Sequence, residues 1–290
     1  MQLSSSESSL ALPVPPRANV LGVGIHAINL DVAVELMEFA LTSSSKGYVC
    51  VTNVHTVMEA QNNAQYREVL NSSFLTVPDG RPTVWVGRTQ GYNAMDQVGG
   101  PDLMLKFCEV SSRKGYTHFF YGGQPGVAEQ LKESLTHRYP GLSVLGTYTP
   151  PFRPLNQEEA SELCNLLIRL KPDVTWIGLG APKQELFMAE YLGRLDTTLM
   201  VGVGAAFDMH TGRIKDAPRW MKRAGLAWLH RLKQEPRRLW KRYLQTNPRF
   251  LCEITLQLLR LKKYDLGASL RQKDLQQDGP FPPTHESANH

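Results

Sequence analysis

What this chain lacks removes several classes of function. It has no run of about 18 uninterrupted apolar residues, the length a membrane-spanning helix needs. Its first residues, MQLSSSESSLALPVPP, show no basic segment followed by an apolar core, so they do not read as a secretory signal. The four cysteines (Cys50, Cys108, Cys164 and Cys252) are widely spaced and form no CxxC pair, which argues against a disulfide framework and a zinc site. Cys50 and Cys108 sit in apolar stretches and read as small buried thiols. A reducing cytoplasm is the expected compartment. No GxGxxG and no GxxxxGK[ST] occurs, so neither a dinucleotide cofactor nor a P-loop ATP site is expected. Asp-x-Asp, HExxH and His/Cys clusters are also missing, so neither a metal nor another cofactor is called for.

What is present fits an enzyme-sized globular protein. Of its 290 residues 42% are hydrophobic, enough for a substantial core. The net charge of +5 is unevenly spread: residues 213–243 hold eleven Lys or Arg against Asp216 and Glu235, a local +9, which leaves −4 for the rest. Such asymmetry points to a localised anionic partner: nucleic acid, phospholipid head groups or diphosphates.

Short β-branched runs alternate with helical patterns from residue 18 to 212. Strands are expected at 19–23, 48–52, 74–77, 117–121, 143–148, 174–179 and 199–203, with helices at 30–41, 54–70, 102–114, 127–138 and 157–170. This alternation predicts an α/β fold with a mostly parallel sheet covered on both faces. Residues 1–17 and 266–290 read as a disordered leader and tail. Residues 213–265 read as a basic helical appendage, divided by Pro236; in its second piece Leu239, Trp240, Tyr243 and Leu244 share one face and Arg237, Arg238, Lys241 and Arg242 the other.

In open parallel sheets, ligands bind beyond the carboxyl ends of the strands. That rule selects Thr52-Asn53, Pro78-Asp79-Gly80, Gly122-Gly123, Gly178-Leu179-Gly180 and Gly202-Val203-Gly204. The two Gly-x-Gly ends suit either a backbone cradle for phosphate or a tight turn. Asp79 is the carboxylate placed to act as a base, although Pro-Asp-Gly is also an ordinary turn. Asn53 suits either a sugar hydroxyl or the cap of the next helix. Pro182 opens a helix on which Lys183 is placed to meet a phosphate or solvent, and Gln184 and Glu185 to point near the pocket mouth. Asp208 suits a ribose or sugar hydroxyl, or a cap.

Five tracts together resemble the WecG/TagA/CpsF family of bacterial glycosyltransferases: NVHTVMEA (53–60), VPDGRPTVWVGR (77–88), FFYGGQPGVAE (119–129), WIGLGAPKQELFMAE (176–190) and the long segment 201–244. The resemblance spans residues 20–263. It implies a Rossmann-like core of the GT-E type and metal-independent transfer of a sugar from a UDP-sugar, with inversion at the anomeric centre. The implied acceptor is a polyprenyl-diphosphate-linked sugar at the inner face of the bacterial membrane. N-acetylmannosamine, or a related hexose or uronic acid, is the implied sugar. Asp79 is then the base, and Arg231, Arg237 and Arg238 belong to a segment that closes over the site on an anionic membrane surface and contacts the diphosphate. Two departures from the family pattern are visible. Val51 stands where many members have the Thr of Thr-x-Asn, and Gln97-Val98-Gly99-Gly100 stands where many read Arg-Val-x-Gly.

Two other classes compete. A nucleic-acid-binding module would use the Arg/Trp segment, but it has no need of the Pro-Asp-Gly and Gly-x-Gly strand ends, so nucleic acid is not the expected partner. A nucleotide-sugar epimerase or dehydrogenase would need GxGxxG and a Tyr-x-x-x-Lys pair, which are missing. Homo-oligomerisation stays open.

Overall fold

The computed structural model describes residues 14–267. Most of the leader and tail expected at 1–17 and 266–290 lies outside them, although Arg17 already belongs to a strand.

The chain opens with an antiparallel hairpin, β1 (Arg17–Val20) and β2 (Val23–His26). It continues through α1 (Leu30–Thr42), β3 (Gly47–Thr52), α2 (Val54–Asn62), α3 (Ala64–Ser72), β4 (Leu75–Pro78), α4 (Arg81–Thr89) and α5 (Gly100–Lys114). Next come β5 (Thr117–Gly122), α6 (Val127–Arg138), β6 (Ser143–Tyr148), α7 (Gln157–Leu170), β7 (Val174–Gly178), α8 (Lys183–Tyr191) and β8 (Leu199–Gly202). Short helices α9 (Ala206–His210), α10 (Arg219–Arg223) and α11 (Ala227–Gln234) lead to the long α12 (Pro236–Leu258). Six strands form one all-parallel sheet in the order β4-β3-β8-β7-β5-β6.

Alternation along the strands sends side chains into two cores, one per face. Val49, Val51, Phe120, Trp176 and Val201 pack with α1, α5 and α6. Tyr48, Cys50, Phe119, Tyr121, Ile177 and Met200 pack on the other side with the hairpin, α2, α3, α7 and α8. The doubly covered α/β sheet expected from the pattern is therefore present, and helix starts are set by local chemistry. Asn29 caps α1, and Asn53 and Asn156 build capping boxes on α2 and α7.

Three expectations need correction. Residues 19–23 do not form one strand of the main sheet: Leu21 and Gly22, with φ of 52° and 80°, make the tight turn of the hairpin. Residues 54–70 are two helices, because Asn63 has extended backbone and its side chain accepts from Tyr66 N–H, starting a new helix. Helix α4 was not legible, since Pro82 at its start and Gly87 within it break the periodic signal.

The basic appendage also divides in two. Residues up to 244 lie exposed or half-buried, apart from Ala217 and Leu239. Farther along α12, Phe250 and Ile254 are buried in the core on the hairpin side, and Gln257 bonds the backbone of Asn19 and Leu21. Among the described residues no helix is long and apolar enough to cross a membrane.

Candidate functional site

Because all six strands run parallel, their carboxyl ends share one edge of the sheet. Asp79 sits at that edge, directly after β4, with its N–H donating to Thr52 O of neighbouring β3 at 2.9 Å. Asn53 fulfils both readings of its sequence position. Its Oδ1 accepts from His55 and Thr56 N–H as a helix cap, while its Nδ2 donates to Asp79 Oδ2 at 3.1 Å. The amide therefore aims the carboxylate from a helix terminus that cannot easily move. Gln97 also bonds the Asp79 side chain. Burial pushes the Asp79 carboxyl above the ordinary aspartate range; the Asn53 bond opposes this, Asp102 adds to it, and Gln97 and Lys222 oppose it. A carboxylate raised in this way is a better proton acceptor than one in water.

The glycine-rich ends lie beside it. At Gly122 a side chain would come within 2.7 Å of the Gly178 carbonyl, and at Gly178 within 2.8 Å of Phe207, so β5, β7 and α9 meet only because these residues are glycine. Gly123 N–H donates to Gly178 O at 3.1 Å. Gly202 faces Gln184, whose Oε1 accepts from Gly180 N–H at 3.2 Å. Close packing thus explains Gly122, Gly178 and Gly202, whereas Gly180 has no neighbour within 4 Å of where a side chain would begin.

Other expected site residues divide sharply. Thr52 is fully buried and its hydroxyl donates to Cys50 O, so only its carbonyl serves the site. Gln184 and Glu185 are buried, 4% and 0% exposed; the Gln184 amide reaches the glycine turns of the edge, while the Glu185 carboxylate meets Tyr66 inside. Gln184 Nε2 and Tyr66 OH donate to the Glu185 carboxylate at 2.8 and 3.0 Å, and burial raises that carboxyl. These two residues brace the strand ends from behind. Lys183 is exposed at the first turn of α8, and Gly204 closes its turn with its N–H directed to Ile177 O.

The appendage reaches this edge, where Lys222 pairs with Asp102 at 3.3 Å. Asp208 on α9 is half-buried, its carboxyl raised by burial, with the charges of Arg213, Arg231 and Arg238 acting against that and Glu235 reinforcing it. Arg231 pairs with Glu235 at 2.7 Å, as does Arg238, whereas Arg237 is exposed. Six buried side-chain polar atoms have no hydrogen-bond partner among the described residues. Four of them, His55 Nδ1, Arg81 Nε, Arg231 Nη1 and Arg242 Nε, belong to this junction. Gly225 of the appendage packs on Arg81 and Trp85 of α4, and Arg242 helps burial press the His55 imidazole down to about 4. Three partly buried guanidinium groups with unspent N–H donors are suited to an anion with several oxygens.

Residues 18–264 match the model of the glycosyl transferase WecG/TagA/CpsF family. The chain belongs to that family. Among its curated relatives, the protein from Bacillus spizizenii named N-acetylglucosaminyldiphosphoundecaprenol N-acetyl-beta-D-mannosaminyltransferase is 30% identical over 209 residues, covering 72% of this chain and 79% of the relative. A Bacillus subtilis protein of the same name is 28% identical over 217 residues, 74% of this chain and 82% of the relative. The protein is thus a glycosyltransferase.

Sequence reasoning named Gln97 only as a departure from the family pattern and Arg242 only as part of a cationic helix face, and it did not single out Asp102, Lys222 or His55. Asp102 carried the one available signal, an acid in the first turn of a helix opened by Gly99-Gly100-Pro101. Lys222 stands 120 positions from its partner Asp102, and no local pattern joins them.

Proposed function

We propose that this protein transfers N-acetylmannosamine from its UDP-sugar to a hydroxyl of a polyprenyl-diphosphate-linked sugar, with inversion and without a metal. The observation that carries this reading is Asp79, held by Asn53 at the sheet edge, with Lys222 of the arginine-rich appendage acting on it. In the reaction the acceptor oxygen attacks the anomeric carbon as its proton passes to Asp79. A new glycosidic C–O bond forms, the bond to the β-phosphate oxygen breaks, and its electron pair leaves with UDP. Attack opposite the leaving group inverts the centre. Arg231, with Nη1 unspent, and Arg238 are suited to the charge that develops on the departing diphosphate, the task a metal performs in other sugar transferases. Gly180, Gly204, Lys183 and Asp208 line the remaining edge for the donor. The relatives' name supports the sugar and the lipid diphosphate acceptor.

The lipid acceptor also explains the outer surface. Trp220, Trp240 and Leu244 are 64%, 48% and 66% exposed within the cationic segment. Basic residues contribute about 1 kcal/mol each near an anionic leaflet, and inserted Trp and Leu add an apolar term. Reversible seating on the inner face of the plasma membrane follows, without a spanning helix. The test is incubation of the protein with a panel of UDP-hexosamines, hexoses and uronic acids and a short-chain lipid diphosphate acceptor, with and without EDTA. EDTA-resistant release of UDP with N-acetylmannosamine is expected. Transfer of another sugar alone overturns the donor assignment, and strict dependence on Mg²⁺ or Mn²⁺ overturns the metal-free step.

A further inference from the structure

Lys222 lies on the short helix α10 of the appendage. Its Nζ is 3.3 Å from Asp102 Oδ2 and 2.5 Å from Asp216 Oδ2. Asp102 stands in the first turn of α5, after Gly99-Gly100-Pro101. A side chain built at Gly99 would begin 3.5 Å from Asp102 Oδ2 and 3.6 Å from Asp79 Oδ1, so the two carboxylates flank one point. Two like charges so close oppose one another, and the Asp102 charge raises the Asp79 carboxyl. The groups acting on Asp79 are Asn53 from the α2 cap, Gln97 from the loop before α5, Asp102 from α5 and Lys222 from α10. Lys222 is the one cation among them, and it comes from the appendage. Burial draws its own proton off, but Asp216 and Asp102 more than restore it, so the ammonium stays charged there.

We propose that Lys222 is a positioning residue that couples docking of the appendage to the charge of Asp79: seated on Asp102, it neutralises the competing carboxylate and keeps Asp79 ionised to receive a proton. With α10 lifted away, Asp102 is unpaired beside Asp79, and Asp79 holds its proton at higher pH. The base is then ready only under the closed cover. This inference rests on the reading of Asp79 as the base, but its first test does not.

That test is a titration of ¹³Cγ-aspartate-labelled protein by NMR, with the Asp79 signal assigned by its loss in Asp79→Asn. Lys222→Met is expected to raise the Asp79 midpoint by about one pH unit, the lower range for loss of a nearby opposite charge. Asp102→Asn in the otherwise native chain is expected to lower it, Lys222→Met with Asp102→Asn to bring it back, and Lys222→Arg to leave it in place. In turnover of UDP-N-acetylmannosamine, the acid limb of kcat/KM follows the same shifts. An unchanged midpoint in Lys222→Met, or activity lost equally at every pH, makes Lys222 a strut and overturns the coupling. Asp102→Asn keeps the α10 lysine and so gives a reading even if Lys222→Met folds poorly: an unmoved midpoint there also overturns it. Near-native turnover in Asp79→Asn instead defeats the base assignment, while the NMR result stands or falls separately.

Discussion

The strand-end edge and the appendage that covers it are built on opposite plans. At the edge, polar groups answer one another within the protein: Asn53 holds Asp79, and Gln184 and Tyr66 hold Glu185. In the cover, Arg231 and Arg242 each keep a buried nitrogen without a partner, and Trp220, Trp240 and Leu244 face outward. Leaving a buried N–H unpaired costs about 1–3 kcal/mol, so a stable scaffold does not accumulate such groups without a use. The comparison teaches that the two carboxylates of the edge find their partners when the chain folds, whereas the appendage, together with His55 and Arg81 next to it, keeps buried polar atoms unspent and large apolar side chains exposed, the features that the proposed diphosphate and lipid surface would use.

Four measurements would break or sharpen this contrast. The largest effect is expected at the edge: Asp79→Asn should lower kcat by roughly 10²–10⁴-fold, the range for loss of a general base, with UDP affinity nearly unchanged in calorimetry. Next, the cover should prove inseparable from the core at its far end. Phe250→Ala removes a ring that is 3% exposed and should cost about 3–5 kcal/mol in urea unfolding, while Trp240→Ala should cost far less. If the two changes cost the same, α12 does not divide as described.

A third measurement probes the sealed interior. His118 is fully buried, accepts from Trp176 Nε1–H at 2.9 Å, and is held by burial down from 6.5 to about 4. Its folded value is depressed, so its contribution is complete above about 6.5 and is lost progressively as pH falls towards 4. Unfolding free energy should drop across that window by about 3 kcal/mol on account of this residue. His118→Gln should flatten the profile there, and a slope equal to that of the native chain would contradict this origin. The smallest effect belongs to the outer surface. Trp240→Ser with Leu244→Ser should weaken binding to anionic vesicles by about tenfold, near 1.4 kcal/mol, for partial insertion of two side chains. Added salt should weaken the native binding as well. Indifference of the native chain to such vesicles would remove the membrane from the account.

The elements that were legible in the sequence are those whose signal is local. Helices α1, α6 and α7 match their apolar periodicity within a residue, and β6 matches its β-branched run, because both patterns are created by neighbours in the chain. Asp79 was legible because a strand followed by Pro-Asp-Gly can only leave the sheet at that point. The hairpin was not, since Leu21-Gly22 interrupts a run that reads as continuous, and a leucine in a positive-φ turn carries no composition signal. Gln184 and Glu185 were placed at the mouth on helical position alone; Gln184 does lie against the glycine turns, whereas Glu185 faces inward to Tyr66 on α3. The basic appendage was visible as a charge run, but not which of its residues reach the site.

By itself the sequence determined the alternation of strand and helix, the parallel sheet this requires, the family, and the position of one carboxylate at the carboxyl end of a strand. These follow from periodicity, turn chemistry and runs of neighbouring residues. Only the tertiary structure decided what that carboxylate meets. Asn53, Gln97, Asp102 and Lys222 converge on Asp79 from four separate segments, and Phe250 anchors the cover to the opposite face. Proton affinity depends on distances of a few ångströms and on exclusion of water. Those are properties of packing, which residues far apart in the chain acquire only when they are folded together.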